Sequence, residues 1–333
     1  MAYRERVIVN GLPGRMATKV ARRLMRAEDF DLHNYSLTGD RQKDKSFEIG
    51  GSKVHLYNPS QRVYFPADSN CDGMLTVDYT LPGVARSNAY LYLKNNMPFV
   101  MGTTGGDLSD LQGLLANSSI NAVVGSNMAL PIVSMQRALV EFVERNQFSL
   151  SGCELTITES HQSTKKDTSG TAKAMVSHFN RLGIDFDEKR IVSIRDRDEQ
   201  MMMGVPEEFL SAHGWHTYEI HAPTEGRRYM ENLDQLQDLF YRILHPSNSA
   251  FGDNFTFTRD ANAKSVKAKS LDGSVSFEVS RPASRDLKFV HNINGRAIYA
   301  EGTLTALRFL RKKMEESERG KVFSMVDVLN STN

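Results

Sequence analysis

The run that decides the fold lies near the start of the chain and is Arg6-Val7-Ile8-Val9-Asn10-Gly11-Leu12-Pro13-Gly14-Arg15-Met16-Ala17. Its apolar first half predicts a strand that is followed at once by a short loop. A helix is predicted from there to about Met25, because Met16, Val20 and Leu24 recur on one helical face. This strand–loop–helix order indicates the first unit of an α/β fold.

The loop itself has the spacing Gly-x-x-Gly-x-x-Ala, a variant of the dinucleotide-binding fingerprint. Gly11 allows the tight turn, Gly14 keeps side-chain bulk away from a pyrophosphate, and Ala17 lets helix and strand pack closely. We therefore predict a Rossmann-type, doubly wound parallel sheet, with Gly11, Gly14, Arg15 and Met16 at the cofactor. The alternative interpretation is a plain βα turn.

The second strand is predicted at residues 35–38 and ends in a charged turn. An acidic residue at this point binds the ribose hydroxyls of NAD, whereas basic residues accept the extra phosphate of NADP. The turn offers both, as Asp40 and as Arg41 with Lys43. We favour NADPH, with NADH as the alternative, and Asp40 is also compatible with an ordinary turn.

Three further strands are predicted at 74–78, 98–101 and about 122–125. Ligands of open α/β sheets bind at the carboxyl ends of such strands, so the loops that follow them are candidates for cofactor contacts. The glycine-rich loop from Gly102 to Gly106 is equally compatible with a flexible turn. The candidates from these loops are Tyr79, Gly102, Thr103, Thr104, Ser126, Asn127 and Met128.

A second site is predicted between a strand at 154–158 and a helix at 172–179, in the run Glu159-Ser160-His161-Gln162-Ser163-Thr164-Lys165-Lys166-Asp167-Thr168-Ser169-Gly170-Thr171. The first N–H groups of a helix lack intrahelical partners and carry partial positive charge, which suits a carboxylate or phosphate. Lys165 adds a full charge, and His161 can exchange a proton near neutral pH. The run therefore predicts a site for a small anion that is protonated during reaction; an ordinary N-cap at Ser169 is the alternative.

Together these motifs resemble the dihydrodipicolinate reductase (DapB) family over roughly residues 6–220 and 287–329. The family's Gly-x-x-Gly-Arg-Met and Gly-Thr-Thr-Gly loops correspond to 11–16 and 102–105. Its catalytic loop, Glu-x-His-His-x-x-Lys-x-Asp followed by Ser-Gly-Thr, corresponds to 159–171. The form Glu-Ser-His-Gln is similar to the plant and cyanobacterial branch.

The resemblance implies reduction of dihydrodipicolinate, or its 4-hydroxy precursor, to tetrahydrodipicolinate in lysine and diaminopimelate biosynthesis. It implies His161 as proton donor and Lys165 as the second catalytic residue. The expected contacts to the dicarboxylate substrate are Gln162, Ser169, Gly170, Thr171 and Arg296. Gln162 replaces the family's second histidine, and Leu81 replaces a bacterial arginine. The alternative function is an inactive, reductase-like assembly or scaffold protein of a plastid electron-transfer complex.

The resemblance also implies two domains. Residues 1–128 with 303–333 are expected to form the dinucleotide-binding domain, and 129–302 an α+β substrate and oligomerisation domain with an open mixed sheet. Residues 223–286 have no recognised counterpart. They predict a helix at 231–244 with an apolar stripe and a hairpin about 271–274. We expect the insert to be a subunit contact or a lid, with an exposed decoration as the alternative, and the chain to be a homodimer or, less favoured, a homotetramer.

Composition narrows the classes of function. The chain has 333 residues, 40% of them hydrophobic, and a net charge of +1, which gives no argument for nucleic acid or a membrane as partner. Cys71 and Cys153 are the two cysteines, too few for a zinc site or a disulfide framework. We expect no metal, and a location in the cytoplasm, or in the plastid stroma if a transit peptide was removed.

Overall fold

The computed structural model describes residues 4–62, 64–65, 71–103, 108–224, 227–245, 250–251, 255–261 and 264–332. The chain divides into two compact units, one of residues 1–133 with 297–332 and one of residues 134–296. The boundaries predicted from the sequence were 128/129 and 302/303. Each unit is described by itself below.

The first unit is built on a parallel sheet. Over the described residues its strands are β1 (Glu5–Asn10), β2 (Phe30–Leu32), β6 (Thr76–Asp78), β7 (Phe99–Met101), β8 (Ala122–Val124) and β16 (Val322–Phe323), in the order β16-β8-β7-β6-β1-β2. Strands β6 and β7 are buried along their whole length and β1 from Val7 onward, which explains the apolar runs in β1 and β7. The predicted Rossmann-type sheet is confirmed, but the strand predicted at 35–38 is not part of it and pairs in a separate sheet. The strand order reverses between β1 and β6, and ligands bind at such switch points.

The remaining elements of this unit complete the layers. A small separate sheet comprises β3 (Tyr35–Leu37), β4 (Ser46–Ile49) and β5 (Ser52–Tyr57). The helices are α1 (Arg15–Leu24), α2 (Pro82–Lys94), α3 (Leu111–Leu115), the start of α4 (Leu130–Arg145), α8 (Ala297–Glu315) and α9 (Met325–Asn330). Helix α8 begins six residues before the predicted Thr303. Its Gly302 packs so closely that an added Cβ would lie 1.7 Å from the carbonyl oxygen of Met128.

The second unit contains a mixed sheet, as predicted. Its described strands are β9 (Glu154–His161), β10 (Val192–Ile194), β11 (His213–His221), β12 (Phe255–Asp260), β13 (Ser265–Ser270), β14 (Val275–Ser280) and β15 (Asp286–Asn294), in the order β10-β9-β11-β15-β14-β13-β12. β9 and β10 are parallel and the other pairs antiparallel. The helices α5 (Gly170–Arg181), α6 (Arg197–Met202) and α7 (Arg227–Ile243) join α4 in this unit.

The insert extends this sheet. The predicted hairpin is confirmed, since β13 and β14 pair in antiparallel register from Val266 with Val279 to Lys269 with Ser276. The apolar stripe of α7 needs no partner subunit to cover it and so gives no support to the expected subunit contact. Its stripe is already buried within the chain, and the ring of Phe240 stacks on that of Phe289 in β15 at 4.4 Å between centroids. The buried members of the stripe are Leu233, Leu236, Phe240, Ile243 and Leu244.

In the described part of the chain, no helix combines the length and the apolarity needed to cross a bilayer. No group of three or more histidine, cysteine or acidic side chains within these ranges is arranged to hold a metal ion. Cys71 and Cys153 are buried free thiols, and burial raises the pKa of Cys153 to about 11.

Candidate active site

The centre of the candidate site is His161, the last residue of β9. Its Nδ1 lies 2.5 Å from Oε2 of Glu159, which is fully buried, while the His161 side chain is 16% exposed. Strand alternation places residues 159 and 161 on the same face of the sheet. The opposite ring nitrogen, Nε2, lies across Gly214 of the neighbouring strand β11, where an added Cβ would be 3.2 Å away. Glycine therefore leaves Nε2 uncovered by a side chain from that position.

Glu159 is held by two further residues from the β10 segment. Arg195 binds both carboxylate oxygens, at 2.6 Å from Oε1 and 3.1 Å from Oε2, and Ser193 donates to Oε1 at 2.5 Å. The parallel register aligns Ser193 with Glu159 and so brings this segment into reach. Burial alone would raise the pKa of Glu159, but hydrogen bonds from His161, Arg195 and Ser193 outweigh it and lower the pKa to about 2. The carboxylate is therefore ionised at neutral pH.

Three more histidines surround His161. His213 and His216 lie in β11, with the His216 ring 5.1 Å from that of His161, and His291 in β15 stacks on His216 at 4.5 Å. His213 and His216 are buried, and each has a specific partner. Their Nε2 atoms lie 2.8 Å from Oγ of Ser160 and 2.7 Å from Oγ of Ser169 respectively.

These surrounding rings are neutral at physiological pH. Burial lowers the pKa of His213, and it lowers that of His216 well below its ordinary value. Burial likewise lowers the pKa of His291 to about 3. Within the described part of this cluster, His161 is the ring with a carboxylate partner.

The loop after β9 ends at the start of α5. Ser169 is the N-cap, and its Oγ accepts from the backbone N–H of Ala172 at 3.4 Å. Gly170 and Thr171 begin the helix, with Gly170 exposed and Thr171 partly exposed. The N-cap, which was the alternative interpretation, is therefore confirmed at Ser169, and the anion site stays a prediction. An anion is favoured at such a helix start by hydrogen bonding and by the helix dipole.

Lys165 lies on the same loop with its side chain 20% exposed. Its Nζ donates to the exposed Asp167 at 2.8 Å, and this bond is the main cause of a lowered pKa for Asp167. Arg195 fixes the loop backbone by donating to the carbonyl oxygens of Lys165 and Asp167 at 3.0 and 3.3 Å. Gln162, the position of the family's second histidine, is partly exposed on this loop.

Arg296 follows the end of β15, which lies beside the ends of the strands that carry His161 and Gly214. The end of β15 pairs with the start of β11, Asn294 opposite His213 and Ile293 opposite Gly214, and Gly214 in turn pairs with His161. The backbone N–H of Gly295 continues this pairing to Ala212 O at 2.6 Å. Arg296 follows directly and is partly exposed.

The predicted nucleotide loop lies at the switch point of the first sheet. Gly11 has φ +106°, and a Cβ there would lie 2.4 Å from the carbonyl oxygen of Tyr79, the residue after β6. A Cβ on Gly14 would lie 2.6 Å from the carbonyl oxygen of Gly11. Gly14 is the N-cap of α1 and, among the described residues, no side chain caps this helix, so the backbone N–H groups at its start, from Arg15 onward, are left for an anion. These features fit the pyrophosphate of a dinucleotide.

Tyr79, Gly102 and Thr103 lie close together at this edge. A Cβ at Gly102 would overlap the Tyr79 ring at 2.3 Å, so the glycine is required by that ring. The Tyr79 hydroxyl is 2.6 Å from Oγ1 of Thr303 in α8, and burial raises the pKa of Tyr79 to about 12. Thr104 lies outside the described residues.

The other cofactor candidates differ in exposure. Ser126 is exposed, Asn127 accepts from the N–H of Ala129 at 2.9 Å through Oδ1, and Met128 is buried. Met16 is partly exposed. Asp40, Arg41 and Lys43 are exposed in the turn after β3.

The sequence did not reveal the buried Asp78 at the end of β6. One of its oxygens accepts from Asn88 Nδ2 at 2.8 Å and from the Tyr92 hydroxyl at 2.5 Å. The other accepts from the Thr80 backbone and hydroxyl, at 2.8 and 2.7 Å, and from Oγ1 of Thr103 at 2.9 Å. The available signal was an acidic residue ending an otherwise apolar strand. Asp78 ties the loops after β6 and β7 together.

Arg195, Ser193 and His216 were also missed. They follow or lie in strands whose neighbours are set by sheet register and not by sequence distance. For Arg195 the signal was a charged residue directly after Ile194, at the end of a short strand. Nothing in the sequence around His216 distinguished it from an ordinary strand residue.

Two family models together match most of the chain. The family model described as dihydrodipicolinate reductase, N-terminus, matches residues 5–128, and the one described as dihydrodipicolinate reductase, C-terminus, matches residues 137–329. A probable 4-hydroxy-tetrahydrodipicolinate reductase 2, chloroplastic, of Oryza sativa is 32% identical over 326 residues, covering 97% of this chain and 82% of the rice protein. The 4-hydroxy-tetrahydrodipicolinate reductase 1, chloroplastic, of Arabidopsis thaliana is 31% identical over 330 residues, covering 98% and 78%.

A solved structure agrees on the fold. The dipicolinate-bound dihydrodipicolinate reductase from Paenisporosarcina sp. TG-14 aligns with a TM-score of 0.53 and 14% identity, covering 98% of this chain and 99% of the bacterial chain. At that identity the likeness concerns the fold alone.

Proposed function

We propose, since this chain belongs to the dihydrodipicolinate reductase family, that it reduces 4-hydroxy-tetrahydrodipicolinate, or dihydrodipicolinate formed from it, to tetrahydrodipicolinate with NAD(P)H. This is a reductive step of lysine and diaminopimelate biosynthesis. The observation that carries the proposal is the ionised Glu159 on Nδ1 of His161, beside a loop that presents Lys165 and the α5 N-terminus.

The first unit is the nucleotide-binding unit, and the cradle at Gly11 and Gly14 fits the cofactor's pyrophosphate. When bound, the reduced nicotinamide supplies the hydride, and the protein supplies position and charge. Arg15 and Met16 begin α1 at that cradle, while Tyr79, Gly102 and Thr103 line the neighbouring strand ends. The contacts of Ser126, Asn127 and Met128 remain predictions, as does the preference for NADPH.

The substrate carries two carboxylates, and the second unit offers groups of matching chemistry. The N–H groups at Ser169, Gly170 and Thr171 bind one carboxylate at the helix start. Lys165 releases the exposed Asp167 and pairs with the substrate instead, which neutralises charge that would otherwise be buried. Arg296 and Gln162 are further contacts at the same edge.

His161 acts as the general acid. Because Nδ1 is engaged by Glu159, the proton for the substrate is held at Nε2, the nitrogen that Gly214 leaves uncovered. The 4-hydroxy compound must lose water to give dihydrodipicolinate before it can accept the hydride. Hydride addition then gives the ring of the substrate carbanion character, and His161 donates the proton that completes the reduction. General acid catalysis of this kind contributes about 10²–10⁴-fold.

The alternative, an inactive scaffold protein, is not favoured. A scaffold does not require the aligned pair of Glu159 and His161 or the lysine beside a helix start. The homodimer also remains a proposal, and light scattering decides between dimer and tetramer. The rice and Arabidopsis relatives are chloroplastic by name, and the expected stroma or cytoplasm is consistent with them.

The test is NADPH oxidation with freshly made substrate, followed in the wild-type chain and in His161→Ala. We expect turnover by the wild type and a loss of at least about 10²-fold in the variant. Titration of cofactor fluorescence should give the same affinity for both proteins. No turnover by a folded wild type that binds NADPH would contradict the reductase assignment, and near-normal turnover by His161→Ala would contradict the role of the histidine.

A further inference from the structure

We propose that Glu159 and Arg195 act as a pair of positioning residues that orient His161 and set how strongly its ring holds a proton. This inference rests on the proposed function, because it concerns the proton donor of that reaction. It adds a distinct element: a carboxylate whose effect on the histidine is moderated by an arginine from another strand.

The geometry indicates orientation first. Glu159 is fully buried, and its Oε2 accepts from Nδ1 of His161 at 2.5 Å, so the imidazole is held with its other nitrogen free. A carboxylate that accepts from Nδ1–H fixes the ring tautomer and stabilises the protonated ring. Ser193 and Arg195 hold the carboxylate itself, so its position does not depend on His161.

The charges indicate the second role. If Glu159 faced His161 alone, a buried carboxylate would hold the histidine proton strongly and make His161 a poor acid. Arg195 binds both oxygens of the same carboxylate and therefore withdraws part of its charge from the histidine. The arginine thus keeps His161 able to release its proton.

The other groups around His161 do not replace this pair. From β11 the ring faces His213 and His216, and behind His216 lies His291 of β15; burial lowers the pKa of all three, so they are neutral. On the loop after β9, Lys165 is paired with Asp167. Glu159 is therefore the charged side chain hydrogen-bonded to His161, and Arg195 is the charged side chain paired with Glu159.

Arg195 also connects the pair to the substrate loop. Its Nε donates to the carbonyl oxygen of Lys165 at 3.0 Å, and its Nη2 donates to that of Asp167 at 3.3 Å. The same guanidinium therefore positions the proton donor and the loop that carries the substrate cation. A purely structural role would affect folding or substrate affinity, but it would not move the titration of His161 in a charge-dependent direction.

The experiment compares Glu159→Gln and Arg195→Gln with the wild type. The titration midpoint of the His161 ring is measured by NMR on the full chain with labelled histidine, the resonance being assigned from a His161→Asn sample. We expect Glu159→Gln to lower the midpoint and Arg195→Gln to raise it, each by about one pH unit or more, as for an opposite or like charge removed at this range. Arg195→Lys, which keeps the charge, should restore most of the shift.

Two exposed pairs supply matched controls. Arg197→Gln removes an arginine two residues away, paired with Glu207, and Glu188→Gln removes an acid paired with Lys173. Both should leave the midpoint of His161 unchanged. If the two test variants also stay within about 0.3 unit of the wild type, or shift in the same direction, the proposal is wrong.

Kinetic measurements on the same variants separate this proposal from the reductase assignment. The pH profile of kcat/KM should shift in the same opposite directions in the two variants. If the wild type does not reduce the substrate, the proposed function fails while the NMR titration still tests the pair. If Glu159→Gln does not fold, the Arg195 variant decides alone, because that side chain is 21% exposed and its loss leaves the core packed; an unmoved or lowered midpoint there overturns the proposal.

Discussion

Asp78 in the first unit and Glu159 in the second are both buried carboxylates at or near the C-terminal end of a strand. They differ in what donates to them. Asp78 accepts from hydroxyls, an amide and a backbone N–H, whereas Glu159 accepts from a histidine, an arginine and a hydroxyl. The first set of donors stays neutral over the physiological pH range, but the second set includes groups that carry or exchange charge.

The comparison indicates how one residue type serves two purposes. Neutral donors around Asp78 fix the loops that follow β6 and β7, which are the loops expected at the cofactor. Ionisable donors around Glu159 link the fold to a proton that can move. A carboxylate surrounded by neutral donors is therefore expected to matter for stability, and one shared by His161 and Arg195 for the pH dependence of the reaction.

The largest expected effect concerns the stability of the first unit. Asp78→Asn places an NH₂ group against at least two donors, whichever way the amide turns, so buried hydrogen-bonding groups lose their acceptor. We expect the free energy of unfolding to fall by about 3 kcal/mol, measured by urea denaturation. Glu159→Gln should cost about 1 kcal/mol, because His161 can lose its proton and Arg195 is partly exposed.

The control for this prediction is Asp72→Asn, an exposed carboxylate that accepts from Asn96 just before β6. It should change the stability by less than about 0.5 kcal/mol. Equal losses for Asp78→Asn and Glu159→Gln would remove the distinction between the two carboxylates.

A smaller effect concerns the pH dependence of the second unit. The pKa of His291 is lowered to about 3 by burial, against an ordinary 6.5, so between these values the unfolded chain binds a proton that the folded chain does not. Stability contributed by the neutral ring is present above pH 6.5 and is lost as the pH falls toward 3. Between pH 8 and pH 5 the free energy of unfolding should therefore fall by about 2 kcal/mol less in His291→Phe than in the wild type.

Denaturant titrations at the two pH values measure this difference. The interval lies above the range in which Glu159 takes up a proton, since its pKa is lowered from 4.5 to about 2. Phe277→Leu, in the same aromatic stack, is the matched control, because it loosens the core without removing a titrating ring. If His291→Phe has the same pH dependence as the wild type, the histidine cluster is not a source of acid sensitivity.

The smallest effect concerns the cofactor turn. Arg41 and Lys43 are exposed, so each contact with a 2′-phosphate is screened by water. Replacing both residues by Gln should weaken the binding of NADPH about fivefold more than the binding of NADH, as measured by fluorescence titration. Equal weakening of both cofactors would mean that neither side chain recognises the phosphate, and a selective loss of NADH affinity would indicate that the turn acts through Asp40.

Local patterns predicted the parts of the molecule that are continuous in the chain. The Gly11–Gly14 loop, the strand before His161 and the start of α5 at Gly170 are each encoded within a dozen residues, so periodicity and spacing reveal them. The hairpin of β13 and β14 is of the same kind. The resemblance to a reductase family rested on these short segments.

The partners that complete the site are not local. Arg195 reaches Glu159 because β10 pairs in parallel with β9, and His216 reaches Ser169 because β11 pairs on the other side. Register, which fixes these pairs, depends on the burial of whole strands. The stripe of α7 failed as a predictor for a related reason: an amphipathic face shows that something covers it, but not whether the cover is another chain or β15 of the same one.

The position of the insert has a consequence for chain entropy. Strands β11 and β15 are direct neighbours in the sheet, yet residues 222–285 separate them in the chain. Closing such a loop costs only about 2 kcal/mol more conformational free energy than closing a connection roughly eight times shorter, because the cost grows with the logarithm of length. The stacking of Phe240 on Phe289 and the pairing of β14 with β15 are anchored on the strand that ends this loop. The added segment thus packs against β15, the strand at which the chain returns to the sheet. A large insertion can be accommodated at a site where the surrounding sheet already brings its two ends together.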